Sequence, residues 1–499
     1  MSTLTDLRNI RLEKLAKLKK LGINPYPSKS YKNISNSTIL KHFDDYEGKD
    51  VVVAGRVLSF REHGKLLFID IENITGKIQL FLRVDTYGET SYKKNQLKFS
   101  DLKLLDVGDF IEACGKVIKT KRGEVSVAVD TIRLLTKSIR PLPLNWEGLT
   151  DKETRFRRRY LDLAVNKEVR ERFQRKAKFW EVNRHFMKER GFMEVETPVL
   201  ELVTGGADAA PFTTHHNALD QDFYLRISTE LYLKRLIGGG FEKIYTLGPN
   251  FRNEGIDDEH LQEYYQIEWY WAYADYRDNM ELVREMFIYI AKEVYGKTAF
   301  ESRGMSFDLA SEWKELDYAQ VIKEKFDIDI FEDSVEKILS VLRKNKADVP
   351  TNSTRNNLID NLWKLIRKDI SGPAFLLNEP KFMSPLAKSK EEDPKITERF
   401  HVILAGSELG NGYSELNDPF DQLERFKEQQ KARDKGDDEA QMLDIDFVEM
   451  LEYGMPPTSG YGHSERLFWF LEDITAREGT LFPQMRYRLD DTSKTIYNL

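Results

Sequence analysis

A chain of 499 residues, 40% of them hydrophobic, can bury a large core and divide into two or more domains. Its apolar runs are broken by charges well short of a bilayer span, and its charged first twenty residues lack a signal-peptide core, so we expect a soluble cytoplasmic protein with no membrane partner. The single cysteine, Cys114, excludes an intrachain disulfide and a Cys-x-x-Cys zinc site, and a formal charge of −7 means that any RNA must meet a local basic face.

Leu4, Leu7, Ile10, Leu15 and Leu18 recur at helical spacing, with Arg8, Arg11, Lys14, Lys17, Lys19 and Lys20 between them. Gly-Ile-Asn-Pro-Tyr-Pro then stops the helix. We read it as a solvated helix docked on the next domain, a placement compatible with an RNA-phosphate contact. Residues 51–137 read as five strands rich in β-branched residues and separated by glycine turns. A polar, helix-like stretch over 91–105 interrupts them, which suits an OB-fold barrel. Cys114 falls in a strand and is expected to be a small buried thiol. Arg140-Pro-Leu-Pro reads as a rigid linker, followed by the basic run Arg155–Arg159. From about 160 to 499, long helical patterns alternate with strands, giving one α+β domain. Residues 316–370 are helix-rich and charged with no catalytic cluster, so they read as a helical insertion. The charged run 423–440 reads as a solvated helix face.

Two segments carry chemistry. Phe-Arg-Asn-Glu-Gly at 251–255 and Gly-Tyr-Gly-His-Ser-Glu-Arg-Leu at 460–467 each set an arginine, Arg252 or Arg466, among glycines and acids. Arginine suits bidentate capture of phosphate or carboxylate. With the acid-rich run 407–418 between them, they suggest a nucleotide, a metal and a carboxylate held together. A strand, a polar loop and a returning strand over 251–268 would aim Arg252, Glu254, His260 and Glu268 into one cleft beside Tyr264 and Tyr265. There an aromatic face can stack on adenine while an arginine holds the α-phosphate.

These segments also carry a resemblance, together with Arg190–Pro198, Thr204–Asp220, Leu225–Leu236, Ala272–Tyr276 and Gly410–Asp418. From first helix to last strand the chain resembles a class II lysyl-tRNA synthetase. The resemblance implies an α+β fold: a helical extension over 1–50, a five-stranded OB-fold anticodon-binding barrel over 51–137, a linker over 138–160, and an antiparallel-sheet catalytic domain over 161–499 with its helical insertion at about 310–395. It implies ATP-dependent attachment of L-lysine to lysine tRNA through a lysyl-adenylate, in a homodimer formed through the Arg190–Pro198 segment. By the same resemblance Arg252 would grip the lysine carboxylate and the α-phosphate, Glu254 and Tyr264 would hold adenine, and His260 and Arg466 the outer phosphates. Gly206 and Glu230 would receive the α-amino group, Asn411 the carboxylate, and Glu268, Tyr270, Tyr413 and Glu415 would complete the lysine pocket. Glu408 would ligate the magnesium that accompanies ATP. Phe68, Gln79 and Glu124 would read the anticodon by stacking and base-edge bonds.

The chain departs from the family pattern at four places. His401 replaces a second acidic metal ligand, Glu259 replaces a basic residue, Glu465 replaces an aspartate, and Ser464 shortens a glycine run. Three other functions share much of this pattern: a protein lysyltransferase, a non-catalytic RNA-binding paralogue, and an aspartate or asparagine synthetase, whose pocket should carry cationic or amide groups in place of Glu268 and Glu415. The full barrel speaks against the first and the retained Arg252, Glu254, Glu408 and Arg466 against the second.

Overall fold

A computed structural model describes residues 3–143, 149–347, 349, 353–436 and 439–499. Residues 144–148 of the expected linker, 348 and 350–352 of the insertion, 437–438 of the charged run and 1–2 of the extension lie outside the described residues. The chain forms two units: Met1–Arg155, Tyr160–Asn166 and Arg486–Leu499 in the first, Phe156–Arg159 and Lys167–Met485 in the second.

In the first unit the strands Asp50–His63, Leu66–Asn73, Gly76–Arg83, Phe110–Lys119 and Val125–Thr136 form a barrel. Neighbours pair antiparallel, and a parallel pairing of Gln79 with Ser126 joins the third strand to the fifth and closes it. Strand side chains alternate between faces, so Leu67, Ile69 and Ile71 on one strand and Ile78, Leu80 and Leu82 on the next all point into the core. Each such burial contributes about 1.5–3 kcal/mol. The stretch expected to be helical, 91–105, is instead two 3₁₀ turns, Tyr92–Lys94 and Phe99–Leu104, around a two-residue strand Gln96–Leu97. Asn95, with φ of 61°, breaks the helical path, and Leu97 pairs with Ile132 at the barrel edge. Cys114 is only half-buried: Ile111 and Ala113 take the inward positions of its strand, which turns Cys114 to the outer face.

The N-terminal helix, Leu4–Lys20, begins with a capping box between Thr3 and Asp6. It docks through Leu18 and through a residue that charge alone would leave in water. Arg11 is buried and donates to the carbonyls of Val107 (2.9 Å), Ser138 and Arg140 (both 3.2 Å), while Lys14 pairs with Asp106 at 2.7 Å. Lys17, Lys19 and Lys20 stay exposed. The expectation of one domain from 160 to the end needs correcting, because 160–166 and 486–499 belong to the barrel unit. Arg140 lies over the Tyr497 ring of the last helix, Asp491–Tyr497, and Asp162 pairs with Arg155 at 2.9 Å.

The second unit is built on an eight-stranded sheet in the order Lys314–Asp317, Ala374–Leu377, Arg399–Leu404, Ser407–Ser414, Thr458–Ser464, Glu263–Ala272, Lys243–Phe251, Met193–Glu194. The six central strands run antiparallel and the two edge pairings are parallel, so the sheet is mixed. Helices Lys167–Glu189 and Tyr276–Tyr295 belong to the main core, where Phe179, Phe186, Phe287 and Met286 meet Trp269, Tyr461 and Phe400 of the sheet. The insertion leaves the sheet at Asp317 and returns at Ala374. Its helices Tyr318–Phe326, Val335–Lys344 and Arg355–Arg367 share a core of their own around Ile322, Leu342, Leu362 and Trp363. Helix Pro419–Asp434 buries Gln422, Arg425 and Phe426, and leaves charges such as Glu424, Lys427 and Glu428 exposed. Among the described residues no helix is long and apolar enough to cross a membrane.

Candidate active site

Strand parity assembles the site. On Glu263–Ala272, Ile267 and Trp269 pack into the core, so Tyr264, Gln266, Glu268 and Tyr270 face the other way and line a cavity of about 640 Å³. The neighbouring strand Thr458–Ser464 turns Tyr461 to the core and presents Gly460 and Gly462 as the cavity floor. A Cβ on Gly460 would lie 2.4 Å from both Glu415 Oε1 and Tyr270 Cε1, and one on Gly462 would lie 2.8 Å from Gln266 Nε2. On Ser407–Ser414, Asn411 and Tyr413 face the cavity, followed by Glu415. A β-bulge then changes the parity, with Val402 opposite Gly410 but Ile403 opposite Glu408, and so brings Glu408 to the same wall.

One end of the cavity is acidic. Glu230, Glu268 and Glu415 are all buried there. Glu268 accepts from Thr229 Oγ1 (2.8 Å), Tyr270 Oη (2.9 Å) and Gln266 Nε2 (3.1 Å). Glu230 accepts from Tyr413 Oη and Lys234 Nζ, each at 2.6 Å. Lys234, with no exposed surface, also ion-pairs with Glu415 Oε2. Glu415 Oε1 is buried and has no hydrogen-bond donor among the described residues. Burial pushes the Glu268 carboxyl up, reinforced by Glu230. Burial likewise raises Glu415, against the pull of Lys234. Three buried carboxyl groups thus meet one internal ammonium, which pairs with Glu230 and Glu415 only, and an acceptor is left orphaned, which a cationic ligand would satisfy. Gly206, with φ of 83° and its N–H on Gln441 Oε1, closes this end beside Ser228 and Glu230.

The other end is cationic. Arg466 donates to the Glu408 carbonyl (2.9 Å), meets His260 Nε2 at 2.5 Å and lies 3.9 Å from Glu259. His260 is held by Asp257 at 2.8 Å. Arg252 lies over the Tyr264 ring, 5.5 Å from its centroid, and its buried Nε has no acceptor among the described residues. Glu254, exposed at the rim, completes this wall. All thirteen residues expected in the catalytic cavity therefore line it.

Residues 151–486 match the model for class II tRNA synthetases (D, K and N), and residues 51–135 match the model for OB-fold nucleic acid binding domains. Curated relatives span nearly the whole chain. A lysine–tRNA ligase of Thermotoga maritima is 44% identical over 488 residues, covering 96% of each chain. One of Thermosipho melanesiensis is 42% identical over 493 residues, covering 97% of each. This chain belongs to the class II tRNA synthetases.

In this synthetase the places that depart from the family pattern have found partners. His401 lines the cavity: Nε2 faces Glu379 at 3.1 Å and Nδ1 faces Glu408 at 3.5 Å. Burial opposes its charge, but the two carboxylates more than offset that and raise it to about 9. Glu259 accepts from Ser407 Oγ at 2.6 Å and pairs with Arg303. Glu465 is buried, ion-paired with Lys176, and accepts from the Tyr265 N–H at 3.3 Å. Ser464 Oγ accepts from the Arg466 N–H at 3.2 Å.

Three findings correct or extend the sequence reading. The insertion, read as free of site residues, brings Trp363 and Arg367 to Glu408: Trp363 Nε1 donates to Oε1 at 2.5 Å and Arg367 lies 3.2 Å from the same oxygen. With His401 on Oε2, both Glu408 oxygens face nitrogen groups, and against the push of burial these hold its carboxyl well below the usual range. No group of three or more His, Cys, Asp or Glu among the described residues is placed to hold a metal ion. Arg399 was also missed. It pairs with Glu379 at 2.9 Å, donates to Asn411 Oδ1 at 3.2 Å and so fixes that amide. Its alternation with His401, opposite Tyr413 and Asn411, was the available signal.

On the barrel, Phe68 faces outward, tilted against Phe81 with ring centroids 5.3 Å apart, and Arg61 lies 6.0 Å from its ring. Gln79 is buried and its Oε1 accepts from Ser126 Oγ at 3.0 Å, while Glu124 is exposed just before the fifth strand. Phe81 could have been found from its position two residues beyond Gln79, on the same face.

Proposed function

We infer that this chain is a lysine–tRNA ligase that joins L-lysine to ATP as lysyl-adenylate and passes the lysyl group to lysine tRNA. The observation that carries the choice of amino acid is the acidic end of the cavity, above all the unpaired, buried Glu415 Oε1 beside Glu268 and Tyr270. A compact ammonium with three donors fits such a set of acceptors better than a planar guanidinium does.

The bipolar cavity suggests how the reaction runs. Glu268, Glu415, Tyr270 and Tyr413 hold the side-chain end of lysine, and Gly206 and Glu230 hold its α-ammonium. Asn411 and Arg252 direct the carboxylate to the α-phosphorus, where the carboxylate oxygen forms the new bond and pyrophosphate leaves. Arg252 stabilises charge at that phosphorus, Tyr264 and Glu254 hold adenine, and Arg466 and His260 receive the outer phosphates. No protein nucleophile is required. The family generally uses magnesium with ATP, and Glu408, beside the outer phosphates, is the residue that would meet it; the roles above belong to this chain's own residues. The half-buried, outward-facing Phe68 and the exposed Glu124 and Arg61 support anticodon recognition by stacking and base-edge bonds. The exposed apolar residues Met193, Val199, Leu200 and Leu202 support a homodimer through the segment that begins at Arg190, and we place the enzyme in the cytoplasm. Lysine-dependent ATP–pyrophosphate exchange, run across all amino acids, tests the assignment. Equal exchange with arginine or aspartate would overturn it.

A further inference from the structure

Resting on that reading, we propose that Arg367, reaching in from the helical insertion, is a further ligand for the outer phosphates of ATP. The helix that carries it, Arg355–Arg367, has two faces. Leu358, Ile359, Leu362 and Trp363 are buried in the insertion. Asp360, Lys364 and Arg367, spaced at i, i+4 and i+7, form a stripe that lines the cavity. Lys364 is spent on Asp360 at 2.6 Å, which leaves Arg367 as the cation of that stripe turned to the site.

Arg367 and Arg466 converge on one residue from different elements. Arg367 lies 3.2 Å from the Glu408 carboxylate, and Arg466 donates to the Glu408 carbonyl. His260 and His401 complete the surround. Two guanidiniums brought this close repel each other, and the charge of Arg367 helps to lower the Arg466 pKa, after burial as the main cause. An anion between them would relieve that repulsion. A guanidinium offers five N–H donors, and Arg367 turns one end of its fork to Glu408 as an ion pair. Neutralising Glu408 does not require it, because Trp363 and His401 already face the two carboxylate oxygens. The remaining donors form the kind of fork that binds phosphate oxygens. The cationic end also lies opposite the acidic lysine end, where a triphosphate tail extending away from the α-phosphorus would reach.

The test is calorimetric titration of the full chain with ATP and with AMP, which lacks the outer phosphates. Arg367→Gln should weaken ATP by about 10- to 100-fold, as expected for a lost charge-assisted bond. AMP and lysine should bind within about twofold of the wild type. Should that variant not fold, Arg367→Lys retains a point charge but loses the fork, and should weaken ATP several-fold with AMP unchanged. Unchanged ATP affinity, or equal weakening of ATP and AMP, would overturn the proposal. Lysine-dependent exchange by the wild type separates this from the functional reading. Exchange without the ATP–AMP difference sinks the role of Arg367 alone. The difference without exchange sinks the lysine assignment and leaves the phosphate contact standing.

Discussion

Replacing Glu415 by glutamine removes one charge and preserves volume at the centre of the acidic end. Glu415 is 1% exposed, its Oε2 pairs with the fully buried Lys234, and its Oε1 faces the cavity without a donor among the described residues. In the variant, Lys234 stays anchored by Glu230 at 2.6 Å, so the fold should survive. The ligand ammonium, by contrast, loses a charged partner. Breaking a desolvated charge pair costs about 2–5 kcal/mol, which converts to roughly 30- to 4,000-fold in affinity. Glu268, held by Thr229 and Tyr270, still offers a carboxylate, so the lower part of that range is expected. Steady-state pyrophosphate exchange, with lysine and ATP varied separately, should show the lysine KM raised at least about 30-fold and the ATP KM within about twofold. An unchanged lysine KM would remove Glu415 from the pocket. A parallel rise in both constants would indicate general damage instead of a lost ammonium contact.

Gly460→Ala should also raise the lysine KM, because its Cβ would sit 2.4 Å from Glu415 Oε1 and Tyr270 Cε1; normal kinetics would mean that this floor is not part of the lysine site. Phe68→Ala should weaken tRNA charging by the roughly 1–3 kcal/mol of a lost base stack and leave pyrophosphate exchange intact, so equal loss in both assays would argue against an RNA role for the barrel face. Glu201 is buried, and that burial raises its carboxyl to about 8 in spite of Arg226 and Arg235. The folded state then keeps a proton that the unfolded state has already released, so its contribution is full in acid and is lost as pH rises through about 8. Glu201→Gln should abolish that loss, on the order of 4 kcal/mol, and thermal melts from pH 5 to pH 9 that stay parallel for variant and wild type would refute it.

The sequence by itself determined what is local. Alternation on 263–272 separates Tyr264, Gln266, Glu268 and Tyr270 from Ile267 and Trp269 before any partner is known, because a strand has a period of two. Glycines and arginines at 251–255 and 460–467 advertise close approach and anion binding through their own chemistry, and the barrel strands are readable from β-branched runs between turns. What tertiary structure decided is which distant groups meet. A single extra residue at the bulge turns Glu408 into the cavity, and no local pattern announces it. Trp363 and Arg367 come to Glu408 from more than forty positions away, Lys234 to Glu415 from 181, and Arg11 to Ser138 from 127. Composition would leave all three cations in water. They are buried or engaged because each meets acceptors that only the folded chain brings within reach, and an unpaired charge in those positions would cost more than the fold could offset.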